Sequence, residues 1–233
     1  MKYFQGNCLR LYLVTDSSLS KGRPLTEVVK AAVEGGVSCV QLREKTMSTQ
    51  DFLDLALAVK KVLQLYNVPL IINDRIDVAL ACGADGVHLG QSDLPVEHAR
   101  QILPAHVFIG WSVENMSDVE SALNLPVNYL GVSPIFTTPT KTDTKAPWGL
   151  DGLRSVRQMT SLPLVAIGGI NAGNARPVLQ AGAEGLAVVS AICSAEDPRQ
   201  AAALLQAISW AHFEAQGHRP PTSHLHASDL QSQ

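Results

Sequence analysis

Ala81-Cys82-Gly83-Ala84-Asp85-Gly86-Val87-His88-Leu89 reads as the end of a helix, a glycine turn and a short buried strand. Gln180-Ala181-Gly182-Ala183-Glu184 and Glu34-Gly35-Gly36-Val37 repeat the first half of that plan, each with an apolar run after it. Glycine supplies the left-handed residue with which a helix commonly ends. Working outward from these joints, short apolar runs fall at Leu9–Val14, Ser38–Leu42, Pro69–Ile72, Gly86–Leu89, Val107–Gly110, Tyr129–Val132, Leu164–Ile167 and Gly185–Val189. Between them lie segments with apolar spacing of three and four, at Thr26–Glu34, Thr49–Tyr66, Asp118–Leu123, Leu153–Met159, Ala172–Gln180 and Pro198–Glu214. Eight strand–helix units in 233 residues predict an α/β fold, a single-domain (β/α)8 TIM barrel over residues 1–214. An open doubly wound sheet is the alternative that the alternation allows. Residues 215–233 turn to Gln, His, Ser and Pro and are expected to form a disordered tail. Its His218, His224 and His226 have no fixed geometry for a metal.

Composition narrows the function. Hydrophobic residues make up 46% of the chain, charged residues 17%, and the formal net charge is −3, so nothing basic invites nucleic acid. Cys8, Cys39, Cys82 and Cys193 stand singly, and Cys39, Cys82 and Cys193, in or beside apolar runs, read as small core residues. No apolar stretch reaches membrane-spanning length and no signal peptide is visible, which leads us to expect a cytoplasmic protein without a membrane partner.

In a barrel of this kind, chemistry gathers at the C-terminal ends of the strands. There the sequence places Thr15-Asp16, Gln41 to Lys45, Asn73-Asp74-Arg75, His88 to Asp93, Trp111-Ser112, a loop from Ser133 to Lys141, Gly168-Gly169 and Ser190. Gln41, Arg43 and Lys45 are two apart, so in an extended segment they share a face, and two cations with an amide suit an anion. Pairing of Arg43 or Lys45 with Glu44 or Asp16 is the plainer reading. Asp74 and Asp93 follow neighbouring strands and suit magnesium (Mg2+) shared with phosphate oxygens, although either could instead cap a helix. Gly168-Gly169 and Ser190 mark the quadrant where barrels bind phosphate through backbone N–H groups. Lys141 could reach either anion, and His88 reads as a packed barrel histidine in preference to a general base. Two phosphorylated ends in one mouth, with no Ser-His-Asp set, is the reading the residues support by themselves.

These motifs, in this order, resemble the thiamine phosphate synthase family from about Leu9 to Ala207. The matching stretches are Gln41 to Lys45, Ile72-Asn73-Asp74, Gly86 to Asp93, Pro134-Ile135-Phe136, Thr138 to Lys141, Ala166 to Ile170 and Val188 to Ile192. The resemblance implies a transferase that joins hydroxymethylpyrimidine pyrophosphate to a thiazole phosphate, plain or 2-carboxylated, by a dissociative, magnesium-assisted displacement. It implies that Gln41, Arg43, Lys45, Asn73 and Lys141 bind the pyrimidine pyrophosphate and that Asp74 and Asp93 hold magnesium. Thr138, Thr140, Gly169, Val189 and Ser190 would bind the thiazole phosphate, with Ser112 at the reaction centre. Arg43, Lys45, Ser112 and Lys141 are the expected catalytic set. Ser133 and Thr137 depart from the family pattern, where glycine and proline are expected. A thiazole tautomerase would have no use for the pyrophosphate residues, a phosphosugar isomerase or lyase would need an acid–base pair, and a non-catalytic binder could lose the magnesium ligands. A homo-oligomer is left open.

Overall fold

The computed structural model describes residues 6–138 and 145–217. Eight parallel strands close into a barrel in chain order: β1 Leu11–Val14, β2 Cys39–Leu42, β3 Leu70–Asn73, β4 Gly86–Leu89, β5 Phe108–Val113, β6 Tyr129–Val132, β7 Leu164–Ile167 and β8 Gly185–Val188, with β8 returning to β1. The helices are α1 Leu25–Glu34, α2 Thr49–Gln64, α3 Ile76–Cys82, α4 Val96–Ile102, α5 Met116–Ala122, α6 Gly149–Met159, α7 Ala175–Gln180, α8 Ser190–Cys193 and α9 Pro198–Ala215. The closed barrel settles the choice against an open sheet.

Each strand is buried on both faces, which is why the runs read as continuously apolar. Alternate residues divide between two packing clusters. Leu11, Leu13, Val40, Leu42, Leu70 and Ile72 face the helices in the larger core. Tyr12, Val14, Cys39, Ile71, Tyr129, Val165 and Ala187 fill the barrel interior. The register carries this alternation around the ring, with Tyr12 beside Cys39 and Ala187, and Val14 beside Gln41. Side chains of Ser48, Asn115 and Asp197 cap α2, α5 and α9 by accepting from the N–H three residues on.

Sequence and structure differ mainly at ends. Residues 6–9 form a 3-10 turn before β1, and β5 runs on to Val113 where a loop was expected from Trp111. The helix α7 begins at Ala175, after a turn closed by Asn171 and Asn174, and not at Ala172. The helix expected to end at Glu214 ends at Ala215; residues 218–233, including the three histidines of the tail, lie outside the described residues.

Helices α1 and α9 pack in close contact because Gly35 lacks a side chain. A Cβ there would stand 2.3 Å from the Arg199 carbonyl oxygen and 2.7 Å from the Ala202 Cβ. Gly35→Ala should therefore lower stability by about 2–3 kcal/mol through overpacking, a fall in Tm of roughly 4–10 °C. A thermal melt checks this, and an unchanged Tm would show that α9 shifts freely.

Candidate active site

One cavity of about 520 Å³ opens at the C-terminal ends of the strands. Its wall includes Gln41, Arg43, Lys45, Asn73, Asp74, Asp93, Ser112, Thr138, Gly169, Val189 and Ser190, so every expected site residue within the described range meets there. Thr140 and Lys141 lie outside the described residues.

The side chain of Gln41 projects inward from β2, and Arg43 and Lys45 continue along the same line past the strand end. The pairing of these cations with Glu44 or Asp16 is not what forms. The Glu44 carboxylate accepts from the Ser17 hydroxyl, and Asp16 caps the turn at Ser18. Lys45 Nζ is 3.8 Å from Asp74 Oδ2, with the lysine half exposed, a weak contact. Arg43 makes no ion pair among the described residues, while its N–H donates to Thr15 Oγ1. Arg75 leaves the mouth altogether and pairs with Asp77.

Asp74 follows β3 with φ +62, a left-handed conformation uncommon outside glycine. Such strain gathers at working sites when the surroundings enforce it. Burial, followed by the hydrogen bond and negative charge of neighbouring Asp93, pushes the Asp74 carboxyl up from 3.8 to about 6. Asp93 Oδ2 accepts from the Gly90 N–H at 2.6 Å. Neither aspartate caps a helix, since Arg75 and Pro95 hold the N-cap positions of α3 and α4 and neither helix has a side-chain cap. Two carboxylates forced together, with a raised pKa, form a donor set that a divalent cation would relieve. Among the described residues no third His, Cys, Asp or Glu joins them. A magnesium ion would thus take its remaining ligands from phosphate and water, as it ordinarily does.

On the opposite side, Gly168 (φ +105) and Gly169 (φ +66) turn the chain after β7. The Phe136 N–H donates to Gly168 O and the Ile135 N–H to Ile167 O, binding the β6 loop to this turn. Asn174 Nδ2 donates to Gly169 O at 2.9 Å, a clamp that the sequence reading missed. At the start of α8 the N–H groups of Ser190 and Ala191 have no acceptor within the helix, and both residues border the same cavity. Ser133, where glycine was expected, is buried in the cavity wall.

Beneath the mouth runs a second feature that sequence reading did not find. Tyr12 and Tyr129, each 1% exposed, join hydroxyls at 2.8 Å across the barrel. Gln41 Nε2 donates to the Tyr12 hydroxyl at 3.0 Å, His88 Nδ1 meets the Tyr129 hydroxyl at 3.0 Å, and His88 Nε2 meets Ser112 Oγ at 2.9 Å. Inward glycines make room for the rings: a Cβ on Gly110 would lie 2.1 Å from Tyr129 Cζ, and one on Gly131 2.9 Å from His88 Cε1. The reading of His88 as a packed histidine fits this arrangement.

The sequence profile described as Thiamine monophosphate synthase matches residues 11–192. The chain belongs to the thiamine monophosphate synthase family. A protein of Albidiferax ferrireducens named Thiamine-phosphate synthase is 67% identical over 198 residues, covering 85% of this chain and 90% of that one. One of Vibrio campbellii with the same name is 53% identical over 199 residues, covering 85% and 97%. The solved structure of thiamine phosphate pyrophosphorylase from Pyrococcus furiosus superposes with a TM-score of 0.82 at 38% identity, covering 89% of this chain and 98% of that one. A 3-hexulose-6-phosphate synthase, at TM-score 0.61 and 20% identity, shares the fold alone. Membership of the thiamine monophosphate synthase family makes the chain a transferase of thiamine biosynthesis. The described residues include no helix long and apolar enough to cross a membrane.

Proposed function

We propose that the cavity joins 4-amino-2-methyl-5-hydroxymethylpyrimidine pyrophosphate to 4-methyl-5-(2-phosphoethyl)thiazole, giving thiamine phosphate and pyrophosphate. The observation that carries this reading is one cavity with two separated walls, each of a chemistry suited to an anion. Arg43 and Lys45, beside the paired aspartates, form one, and Gly168, Gly169 and Ser190 form the other. A tautomerase acting on the thiazole alone would need only the second.

In this reading the methylene–oxygen bond breaks first and its electron pair leaves with pyrophosphate. The amino-substituted ring spreads the resulting methylene cation, and the thiazole nitrogen then supplies the pair for the new carbon–nitrogen bond. Nitrogen becomes quaternary without losing a proton, so no general base is required. Gln41 and Asn73, both buried, orient the pyrimidine ring through hydrogen bonds. Arg43, Lys45 and Lys141 offset charge on the leaving group, and Ser112 borders the reacting carbon. Asp74 and Asp93 hold magnesium, which lowers the charge on the departing pyrophosphate when bound. Thr138, Thr140, Gly169, Val189 and Ser190 seat the thiazole phosphate so that its nitrogen faces the methylene. Catalysis is then positioning and charge compensation.

The test is thiamine phosphate formation from the two purified substrates, with and without magnesium and with the plain or 2-carboxylated thiazole. Wild type should make product only with magnesium, and Arg43→Ala and Lys141→Ala should each lose about a hundredfold in kcat. No product from folded wild type would sink the reading, and a thiazole tautomerase would take its place.

A further inference from the structure

The five-residue chain beneath the mouth has a direction, and that direction reaches the reacting groups. Gln41 donates to the Tyr12 hydroxyl, which leaves the Tyr12 hydrogen to find an acceptor. Its neighbours are the Tyr129 hydroxyl at 2.8 Å and the Cys39 sulfur, and sulfur is a weak acceptor. With Tyr12 donating to Tyr129, the Tyr129 hydrogen goes to His88 Nδ1. A neutral imidazole carries one N–H, so the proton then sits on Nε2 and donates to Ser112 Oγ. Ser112 has accepted, and its own hydrogen is left for the cavity. Within the chain the two tyrosine hydroxyls and the imidazole N–H each donate once, as a buried polar chain requires.

The reverse order is equally continuous but has opposite consequences. There Ser112 would donate to His88 Nε2, Nδ1–H to Tyr129, Tyr129 to Tyr12, and Tyr12 to a turned Gln41 carbonyl. Ser112 would show only lone pairs to the mouth. The two ends of the chain are therefore linked: when Ser112 offers a proton, Gln41 offers its carbonyl oxygen, and both reverse together. An anionic leaving group beside Ser112 needs the donor.

We propose that Tyr12, Tyr129 and His88 are positioning residues that hold Ser112 as a hydrogen-bond donor to the leaving pyrophosphate and Gln41 as an acceptor for the amino group of the pyrimidine. The proposal rests on the two-substrate reading above. It requires no proton transfer, only a fixed tautomer and fixed hydroxyl rotors, which is the preorganisation that makes a dipole useful to a developing charge.

Two measurements test it. The first, independent of turnover, is the nitrogen spectrum of protein labelled with ¹⁵N-histidine, with His88→Gln assigning the signal. The chain predicts a protonated Nε2 and a bare Nδ1 in wild type, and loss of that single-tautomer pattern in Tyr129→Phe. A protonated Nδ1 in wild type overturns the proposal whether or not the protein makes product. The second is a double-mutant cycle. Tyr129→Phe keeps the ring that packs against Gly110 and should lower kcat about tenfold or more. Added to Ser112→Ala, it should cost less than about twofold further, because its effect passes through Ser112. A multiplicative loss in the double variant marks a merely structural tyrosine and defeats the idea. Tyr12→Phe cuts the chain one bond earlier and gives the same pair of outcomes should Tyr129→Phe not fold. Wild type that makes no product would sink the two-substrate reading separately, with the tautomer still deciding the direction of the chain.

Discussion

Asp74→Asn is expected to lower the rate of thiamine phosphate formation by about a hundredfold while raising the stability of the protein. The two effects share one cause. In the folded chain burial and Asp93 lift the Asp74 carboxyl to about 6 from its ordinary 3.8. A carboxyl whose folded pKa lies above its unfolded one opposes folding when ionised. That penalty is fully present above about pH 6, shrinks as pH falls through 6, and is gone below 3.8. The gap corresponds to at most about 3 kcal/mol, and with 28% of the side chain exposed, solvent screening reduces it to about 1–2 kcal/mol. Asparagine keeps the shape, removes the charge and tolerates the left-handed backbone at this position. The variant should therefore melt about 2–8 °C higher at pH 7.5 and no higher at pH 4. Magnesium with pyrophosphate should raise the wild-type Tm and leave that of Asp74→Asn unmoved. A variant that is slower but no more stable at pH 7.5 would mean that the carboxylates are not under tension. Unchanged turnover would remove Asp74 from the site.

The positions that reading the sequence recovered and missed follow from what each residue does. Strand ends were legible because an abrupt change from apolar to polar, as at Val40-Gln41-Leu42-Arg43, has no packing explanation in a barrel. Tyr12 and Tyr129 were not, because barrel strands are buried on both faces and alternation cannot tell interior from helix-facing positions. Their hydroxyls meet across 117 positions of sequence, and no local pattern records that. Helix α3 was legible only at its end, where Gly83 follows Cys82 in the left-handed conformation. Asn174 looked like an ordinary residue inside a helix, yet it stands at the N-cap position of α7, and its amide turns back to Gly169. Asp74 was legible as a candidate ligand, but its helix-capping alternative needed the backbone to be rejected.

Gly169→Ala should separate the two anion walls. With φ +66, an alanine there costs about 1–2 kcal/mol in conformation alone. Its Cβ would also stand 2.9 Å from Phe136 Cβ and 2.9 Å from the Thr137 carbonyl oxygen, so one loop must move away from the other. That movement loosens the contacts of Phe136 with Gly168 and of Asn174 with Gly169, which hold the turn in shape. Under the proposed reading the KM for thiazole phosphate should rise tenfold or more, since about 1.4 kcal/mol of lost binding is a factor of ten. The KM for the pyrimidine pyrophosphate should stay within about twofold, because Arg43, Lys45 and Asp74 lie across the cavity. Gly149→Ala is the control. It has the same left-handed backbone, φ +60, with nothing within 4 Å of the added carbon. The control should lose stability of about 1 kcal/mol with both KM values unchanged. If both variants raise the thiazole phosphate KM alike, backbone strain anywhere near the mouth is enough and the glycine turn is no special phosphate seat. If Gly169→Ala raises the pyrimidine pyrophosphate KM as well, the walls are one site, and the assignment of one substrate to each must be given up.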